Sequence, residues 1–278
     1  MTAQHTALVL SGGGAGGAFH IGVLESLWPK EKANISAIYG TSVGALNGCA
    51  LRWVDFEALY QIWLGIKSSD DVLKTNWLAY LGFATGKYST KPLKGLIDFM
   101  MSKDPVNPDI DVWVTAVNLE SSILYYFKHD FAKFKDMVLA SASVPFHMEP
   151  VNGYVDGGVR DHTPLRKAIK AGFERIIVIT SKPLSALETD QKWKMKWPYL
   201  LEIGLRCTDI LQAEVYANDI ESIIDEQKAL GEGLGAQIEV YAPDVRIIDT
   251  FEYDPVKIRM AIDQGRRAYQ SGRFYAQK

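Results

Sequence analysis

Cysteines, long apolar runs and a strong excess of one charge are all scarce in this sequence of 278 residues. The two cysteines, Cys49 and Cys207, lie far apart, and neither belongs to a spacing that would bind a metal ion. We therefore expect two buried free thiols, which excludes a disulfide-stapled fold and suits a reducing compartment. No Asp-x-Asp-x-Asp-Gly calcium loop is present, so we expect activity without a metal ion or another cofactor.

No apolar run approaches the ~20 residues that are needed to span a bilayer. The first five residues also lack the charged segment and apolar stretch of a secretory leader. These two absences predict a cytoplasmic protein. The formal net charge is only −3, and without a basic surface we expect no nucleic-acid partner.

The composition that remains is that of an ordinary globular protein, with 47% hydrophobic and 23% charged residues. The first fifty residues alternate strand, helix, strand and helix, which predicts a mainly parallel sheet covered by helices. We expect a single α/β domain over residues 1–278, with three α/β/α layers around that sheet. Residues 6–180 carry the motifs described below, and residues 181–278 complete the sheet and its covering helices.

Hydrophobic spacing and turn residues predict the later elements. We expect a hairpin over residues 111–119 and 122–128, a helix over 162–171, and a buried strand over 175–180. Residues 199–230 form a long helical stretch, residues 237–241 a strand, and residues 255–272 a last helix.

The motif that organises the chain is Gly40-Thr41-Ser42-Val43-Gly44. It lies between a short apolar strand, residues 35–39, and a helix that runs from residue 43 to about residue 52. A serine at such a strand-to-helix turn has its hydroxyl exposed at the carboxyl end of the sheet, as in a nucleophile elbow. Gly40 and Gly44 fit because side chains there would collide with the adjoining strand and helix.

A glycine-rich loop precedes this motif. It follows a strand over residues 6–10, precedes an apolar helix over residues 19–27, and reads Ser11-Gly12-Gly13-Gly14-Ala15-Gly16-Gly17-Ala18. Such a loop allows backbone N–H groups to converge on an anion at a helix N-terminus. An acyl-transfer reaction needs such donors because its tetrahedral intermediate carries an oxyanion.

A serine nucleophile needs a base, and Asp156 is the strongest candidate. It comes just after a short strand and is followed by Gly157 and Gly158. A buried carboxylate beside the serine can act as base when its pKa rises toward working pH. Taken alone, Asp-Gly-Gly is also typical of a β-turn. None of the five histidines follows a late strand as a triad histidine does, and Asp156 with His162 would be a cramped acid–histidine pair.

Together these residues give the sequence a family resemblance. It resembles the patatin-like phospholipases over residues 6 to 180, through four sequence blocks that occur in the family's order. The blocks are Gly12-Gly13-Gly14-x-x-Gly17, Gly40-Thr41-Ser42-Val43-Gly44, Ala140-Ser141-x-x-x-Pro145 and Asp156-Gly157-Gly158.

The resemblance implies a patatin-like fold and a lipid acyl hydrolase with a Ser–Asp dyad and no catalytic histidine. Ser42 would be the nucleophile and Asp156 the base. The expected oxyanion hole consists of the backbone amides of Gly12, Gly13, Gly14 and Ala15. The substrate would be a lipid acyl ester, as for a phospholipase A, a lysophospholipase or an esterase, and no metal would be needed.

Two residues depart from the family pattern. The family's glycine loop carries Arg or Lys just before its last glycine, where this chain has Gly16, so we expect slower turnover or a substitute cation such as Arg160. The family also has Asn before x-Pro after Asp-Gly-Gly, and this chain has His162 there. We expect His162 to cap the helix that begins near Pro164, or to hydrogen-bond the active-site loop, rather than to act in catalysis.

Two other functions compete with hydrolysis. Gly12-x-Gly14-x-x-Gly17 after a strand also fits a dinucleotide-binding fingerprint, but no acid follows at the end of the second strand to hold a ribose. Alternatively, Gly16 suggests a catalytically weak binding or regulatory module, although both Ser42 and Asp156 are present.

Two tryptophan-containing stretches suggest peripheral contact with a membrane surface. Lysines alternate with Trp193 and Trp197 in one of them, and residues 77–83 form an apolar patch in the other. Surface loops with partly buried tryptophans would show the same pattern. No sequence pattern specifies the lipid headgroup, the acyl length, the position cleaved or the oligomeric state.

Overall fold

A computed structural model of the chain describes residues 5–76, 86–184, 199–230 and 236–271. At positions 199–202, 205 and 221–230 it describes the backbone alone. The predicted apolar patch over residues 77–83 and the segment that contains Trp193 and Trp197 lie outside the described residues. In the described part, no helix is long and apolar enough to cross a membrane.

The centre of the fold is a seven-stranded sheet, with a separate two-stranded pair beside it. The strands are β1 (Thr6–Leu10), β2 (Ile35–Gly40), β3 (Lys74–Thr75), β4 (Tyr88–Ser89), β5 (Asp111–Asn118), β6 (Leu124–Lys128), β7 (Tyr154–Asp156), β8 (Arg175–Ile179) and β9 (Gln237–Tyr241). The main sheet has the order β6-β5-β2-β1-β8-β9, and β7 pairs with β5. β5, β2, β1, β8 and β9 run parallel, whereas β6 and β7 are antiparallel to β5. The predicted α/β class with a mainly parallel sheet is confirmed.

Helices complete the fold. They are α1 (Ala18–Glu31), α2 (Val43–Trp53), α3 (Phe56–Gly65), α4 (Lys91–Met100), α5 (Phe134–Ser141), α6 (Leu165–Lys170), α7 (Tyr199–Leu230) and α8 (Pro255–Gln270). The sequence predicts most of these within a few residues. α1 extends beyond the predicted end at residue 27 because it continues through Pro29. The helix ends two residues after Pro29, so the backbone hydrogen bond that proline cannot donate is lost only near the end of the helix.

The sheet is buried on both faces because its strands alternate between two apolar clusters. In β1, Leu8 and Leu10 face the larger cluster, while Ala7 and Val9 face the smaller one. The larger cluster includes α1, α2 and α8, and the smaller one includes Leu165 of α6. A strand buried on both faces needs apolar residues at every position, which is why β1 and β8 read as continuous apolar runs.

Two expectations are wrong in detail. The helix predicted over residues 162–171 begins only at Leu165, because Asp219 Oδ2 accepts the N–H groups of His162 (2.7 Å) and Thr163 (3.0 Å) and holds them in a loop. Cys49 is buried as expected, but Cys207 is exposed, since it lies on the outward side of the surface helix α7.

Candidate active site

Ser42 occupies the turn between β2 and α2 in a conformation that few non-glycine residues adopt, with φ 56° and ψ −124°. Its backbone N–H donates to Ser141 Oγ at 3.0 Å, so the predicted Ala140-Ser141 block supports the turn directly. A Cβ on Gly44 would overlap the carbonyl oxygen of Leu10, and one on Gly40 would overlap the Gly44 carbonyl. The reason given for both glycines is therefore confirmed.

The strand register brings Asp156 to the same edge of the sheet. β5 pairs with β2 as far as Gly40, opposite Val114, and two residues later Ala116 pairs with Asp156 of β7. β6 occupies the other side of this part of β5. β7 therefore pairs with the same side of β5 as β2 does, just beyond the end of β2. Asp156 accordingly lies next to the turn that follows β2 and contains Ser42.

The Asp156 carboxyl group is fully buried. Its Oδ1 accepts the N–H of Gly158 at 2.7 Å, whereas Oδ2 has no close hydrogen-bond partner among the described residues. Burial raises the pKa of Asp156 to about 7, and the Gly158 N–H, the Ser42 side chain and the charge of Lys182 all act to lower it. A carboxylate that faces Ser42 with one oxygen unpaired, and with such a pKa, can accept a proton near neutral pH.

The glycine loop lies beside Ser42 and His162, and its Gly13 and Gly14 line the cleft. The Gly12 N–H donates to the His162 carbonyl and the Ala15 N–H to the Thr250 carbonyl, both at 2.9 Å. The N–H groups of Gly13 and Gly14 have no acceptor in the described part of the chain, and both residues line the cleft with Ser42. Gly13 and Gly14 have φ values of 136° and 58°, which glycine adopts readily. Of the four predicted amides, two are thus without an acceptor among the described residues and two are engaged.

His162 is buried beside the site. α6 has no side-chain cap at its N-terminus, so the capping alternative is wrong, whereas the other alternative, a hydrogen bond to the active-site loop, is present through the His162 backbone. Its carbonyl binds the Gly12 amide, and its ring packs edge-on against Tyr216, with ring centroids 5.3 Å apart. Burial holds the pKa of His162 well below its usual value, so the ring is neutral at pH 7.

A cleft opens above these groups, with about 460 Å³ of empty space that includes some open to solvent. Its polar base is formed by Gly13, Gly14, Ser42 and Asp156, with His162 beside them. Its walls are mostly apolar, with Gln212 and Thr250 as polar members. The apolar residues come from many parts of the chain: Val43, Leu46, Val72, Leu73, Leu93, Ala142, Val144, Met148, Phe251 and Tyr253.

The sequence was compared with models of known protein families. The family model described as Patatin-like phospholipase matches residues 8–169, which is more than half of the 278 residues. The chain belongs to the patatin-like phospholipase family. The matched range contains Ser42, Asp156 and the glycine loop, so the predicted family is confirmed.

The individual proteins to which the chain is similar are distant in sequence. The uncharacterized protein YjjU of Escherichia coli (strain K12) is 24% identical over 237 residues, which cover 79% of this chain and 64% of YjjU. VipD from Legionella pneumophila has a TM-score of 0.50 at 13% identity, over 97% of this chain and 66% of VipD. The type III effector protein ExoU has a TM-score of 0.42 at 13% identity, over 97% of this chain and 52% of ExoU. The chain spans less than two thirds of the length of each, and the likeness to VipD shows the fold alone.

Sequence reasoning missed several residues of this patatin-like site. Arg160, expected as a substitute cation, is exposed and donates to the Ser122 carbonyl, and it does not line the cleft. Thr250 and Phe251, from the last thirty residues, do line it. Lys182 lowers the pKa of Asp156. The sequence pattern that could have indicated Lys182 is its position just after the predicted strand over residues 175–180, because site residues gather at the carboxyl edge of a parallel sheet.

Proposed function

We propose that this protein hydrolyses lipid acyl esters through a dyad of Ser42 and Asp156. The observation that carries the proposal is the placement of three groups around one cleft. A serine hydroxyl on a strained turn, a buried carboxyl group with an unpaired oxygen, and the two open amides of Gly13 and Gly14 all line it. Acyl transfer needs these three groups as nucleophile, base and oxyanion donors.

The first step forms an acyl-enzyme. Asp156 accepts the proton of the Ser42 hydroxyl while Oγ attacks the ester carbonyl carbon. The negative charge moves to the carbonyl oxygen, where the N–H groups of Gly13 and Gly14 stabilise it. When the intermediate collapses, the C–O bond to the alcohol breaks, and the alcohol takes the proton from Asp156. Ser42 then carries the acyl group.

The second step releases the fatty acid. Asp156 accepts a proton from a water molecule, whose oxygen attacks the acyl carbon, and the same amides again stabilise the oxyanion. Collapse breaks the bond to Ser42 Oγ, which takes its proton back from Asp156. His162 has no proton-transfer role in this scheme, because its neutral ring is held by packing and its carbonyl binds the glycine loop.

The substrate class follows from the cleft walls and the family. An apolar wall that begins at Leu46, one helical turn beyond Ser42, suits an acyl chain better than a polar group. Peripheral contact with a bilayer would bring such a chain to the site, and it remains part of the proposal.

The dyad is tested by hydrolysis of p-nitrophenyl acyl esters and of phosphatidylcholine vesicles. We expect Ser42→Ala and Asp156→Asn each to lose roughly 10²–10⁴-fold in kcat/KM with the fold intact. Asp161→Asn is the matched control. Asp161 is a buried acid on the same loop, but its side chain accepts from Tyr126 and does not line the cleft. Activity that survives Asp156→Asn but is lost in His162→Ala would overturn the assignment of the base.

A binding module without catalysis is the second candidate, because Gly16 leaves the glycine loop without a cation. A fluorophosphonate probe separates the two, since it labels only an activated serine. Labelling of the wild type that disappears in Ser42→Ala supports the hydrolase, and absence of labelling supports the binding module. Dinucleotide binding would appear as NAD(P) or FAD binding by calorimetry, and we expect none.

A further inference from the structure

The glycine loop brings no charge of its own to the oxyanion. Residues 11–18 contain only Ser, Gly and Ala. The developing negative charge would therefore face two neutral amides, in a cleft whose walls are mostly apolar and carry no cation among the described residues. A cation from another part of the chain would lower the free energy of that charge considerably.

The segment after β8 lies directly against this loop. The Ser181 N–H donates to Ser11 Oγ at 2.9 Å, and Ser181 Oγ donates to the Gly12 carbonyl. The Lys182 carbonyl is held by two hydroxyl groups, Tyr216 at 2.6 Å and Thr180 at 2.9 Å. The backbone of Lys182 is thus fixed beside the glycine loop.

The Lys182 side chain lies against Gly13 of the loop and does not itself line the cleft. A Cβ built on Gly13 would lie 3.8 Å from Lys182 Cε. The ammonium group forms no ion pair with the described residues, although more distant charges act on it: Arg246 lowers its pKa, and Asp209 and Asp156 raise it. Its positive charge lowers the pKa of both Asp156, which lines the cleft, and His162, whose carbonyl accepts the Gly12 N–H.

We propose that Lys182 supplies the positive charge that stabilises the oxyanion, in place of a cation in the glycine loop. This inference rests on the proposed hydrolysis. In the free enzyme the ammonium faces the ionised Asp156. As Asp156 takes the serine proton, the negative charge passes to the substrate oxygen beside Gly13, where Lys182 still faces it. The positive charge therefore stabilises the ionised Asp156 before the proton transfer and the oxyanion after it.

Protonation of Lys182 gives the inference a pH signature. Burial is the main cause that lowers the pKa of Lys182, to about 8. The lysine is charged below that pH and neutral above it, so we expect wild-type kcat/KM to fall as pH rises through about 8. Arginine stays charged over this range, so Lys182→Arg removes that alkaline decline.

The experiment compares wild type, Lys182→Met, Lys182→Arg and Arg160→Gln on p-nitrophenyl butyrate, a substrate without a phosphate. We expect Lys182→Met to lose roughly 10- to 100-fold in kcat with KM nearly unchanged. It should also lose affinity for a trifluoromethyl ketone, which forms an anionic adduct with the serine, by a similar factor. Arg160→Gln is the control for a neutralised cation nearby in the sequence, and we expect it to match the wild type.

Several outcomes would overturn the inference. One is a Lys182→Met variant whose activity stays within threefold of the wild type. Another is an alkaline decline in activity that is the same in Lys182→Arg as in the wild type. This second comparison can be made even if Lys182→Met does not fold. A loss confined to phosphatidylcholine vesicles would assign Lys182 to the phosphate headgroup instead. If wild-type Ser42 neither hydrolyses esters nor reacts with a fluorophosphonate, the proposed function fails first.

Discussion

At the scale of single residues, the backbone of Ser42 stores strain. Its φ of 56° with ψ of −124° costs a residue with a Cβ about 1–3 kcal/mol, whereas glycine tolerates it. We therefore expect Ser42→Gly to be more stable than Ser42→Ala by about 1 kcal/mol, although both lack the hydroxyl. Urea denaturation of the two variants measures the difference. Equal stability, or a more stable alanine variant, would show that the turn is not strained.

Asp156 determines how the activity rises with pH. The base must be ionised, and burial raises its pKa to about 7. We expect kcat/KM of the wild type to increase about tenfold per pH unit below 7 and to level off above it, until the decline near pH 8 assigned to Lys182. Measurement from pH 5 to 9 with a fluorogenic ester tests this. A midpoint near pH 4, typical of a solvated carboxylate, would contradict it.

The sequence allowed Ser42 and Asp156 to be predicted because each lies in a short motif with its own glycines. The contacts of Ser141, Thr250 and Lys182 could not be predicted in the same way. Lys182 meets the glycine loop from about 170 residues away in the chain, through the pairing of β8 with β1. No local pattern encodes such a contact, so only the fold reveals it.

At the scale of elements, some helical glycines allow the helix to pack closely against a neighbouring strand, and others have open space around them. Both Gly44, in α2, and Gly95, in α4, lie within helices. A Cβ on Gly44 would overlap the Leu10 carbonyl, while a Cβ on Gly95 would meet nothing within 4 Å. We expect Gly44→Ala to destabilise the protein and to displace Ser42, because α2 must move away from β1.

Gly95→Ala is the matched control for that change. It should stabilise the protein by about 0.5–1 kcal/mol, because alanine loses less backbone entropy in a helix. Thermal unfolding and ester hydrolysis of both variants give the comparison. If Gly44→Ala were as stable and as active as Gly95→Ala, α2 and β1 would not be in close contact at Gly44.

The elements themselves were largely predictable, and their partners less so. Alternating and continuous apolar runs gave the hairpin of β5 and β6, the buried strand β8 and the long α7 close to their observed bounds. The antiparallel pairing of β7 with β5 was not predicted, because three residues carry too little pattern to specify a partner. The start of α6 was wrong because Asp219, about 55 residues later, binds the preceding loop.

At the scale of the whole molecule, buried ionisable groups oppose one another. Among the described residues, burial shifts the pKa most strongly at three aspartates, where it is raised, and at three histidines, where it is lowered, with smaller shifts in the same directions at Asp209 and His129. The aspartates are Asp156 and Asp219 (each about 7) and Asp161 (about 6), and the histidines are His20 and His147 (each about 3) and His162. Between about pH 4 and 6, the folded protein binds an extra proton at each aspartate and the unfolded chain binds one at each histidine.

These proton differences have opposite effects on stability. Each aspartate makes the free energy of unfolding fall as pH rises through this range, and each histidine makes it rise, by about 1.4 kcal/mol per pH unit. The two sets nearly cancel between pH 4 and 6. Below about pH 4 the aspartates are protonated in both states, while the histidines still bind protons on unfolding. Stability should therefore fall steeply only there.

Single substitutions should give the free energy of unfolding a slope against pH, and the sign of the slope depends on which group is removed. Asp156→Asn removes one aspartate, so its free energy of unfolding should rise by about 1.4 kcal/mol per unit between pH 4.5 and 6. His147→Phe removes one histidine and keeps an aromatic ring stacked on Phe251, so its free energy of unfolding should fall over the same range. Urea titrations at pH 4.5, 5.2 and 6.0 measure the slopes. Parallel profiles for wild type and both variants would show that neither group titrates with a shifted pKa, and would remove the electrostatic basis for Asp156 as a base near neutral pH.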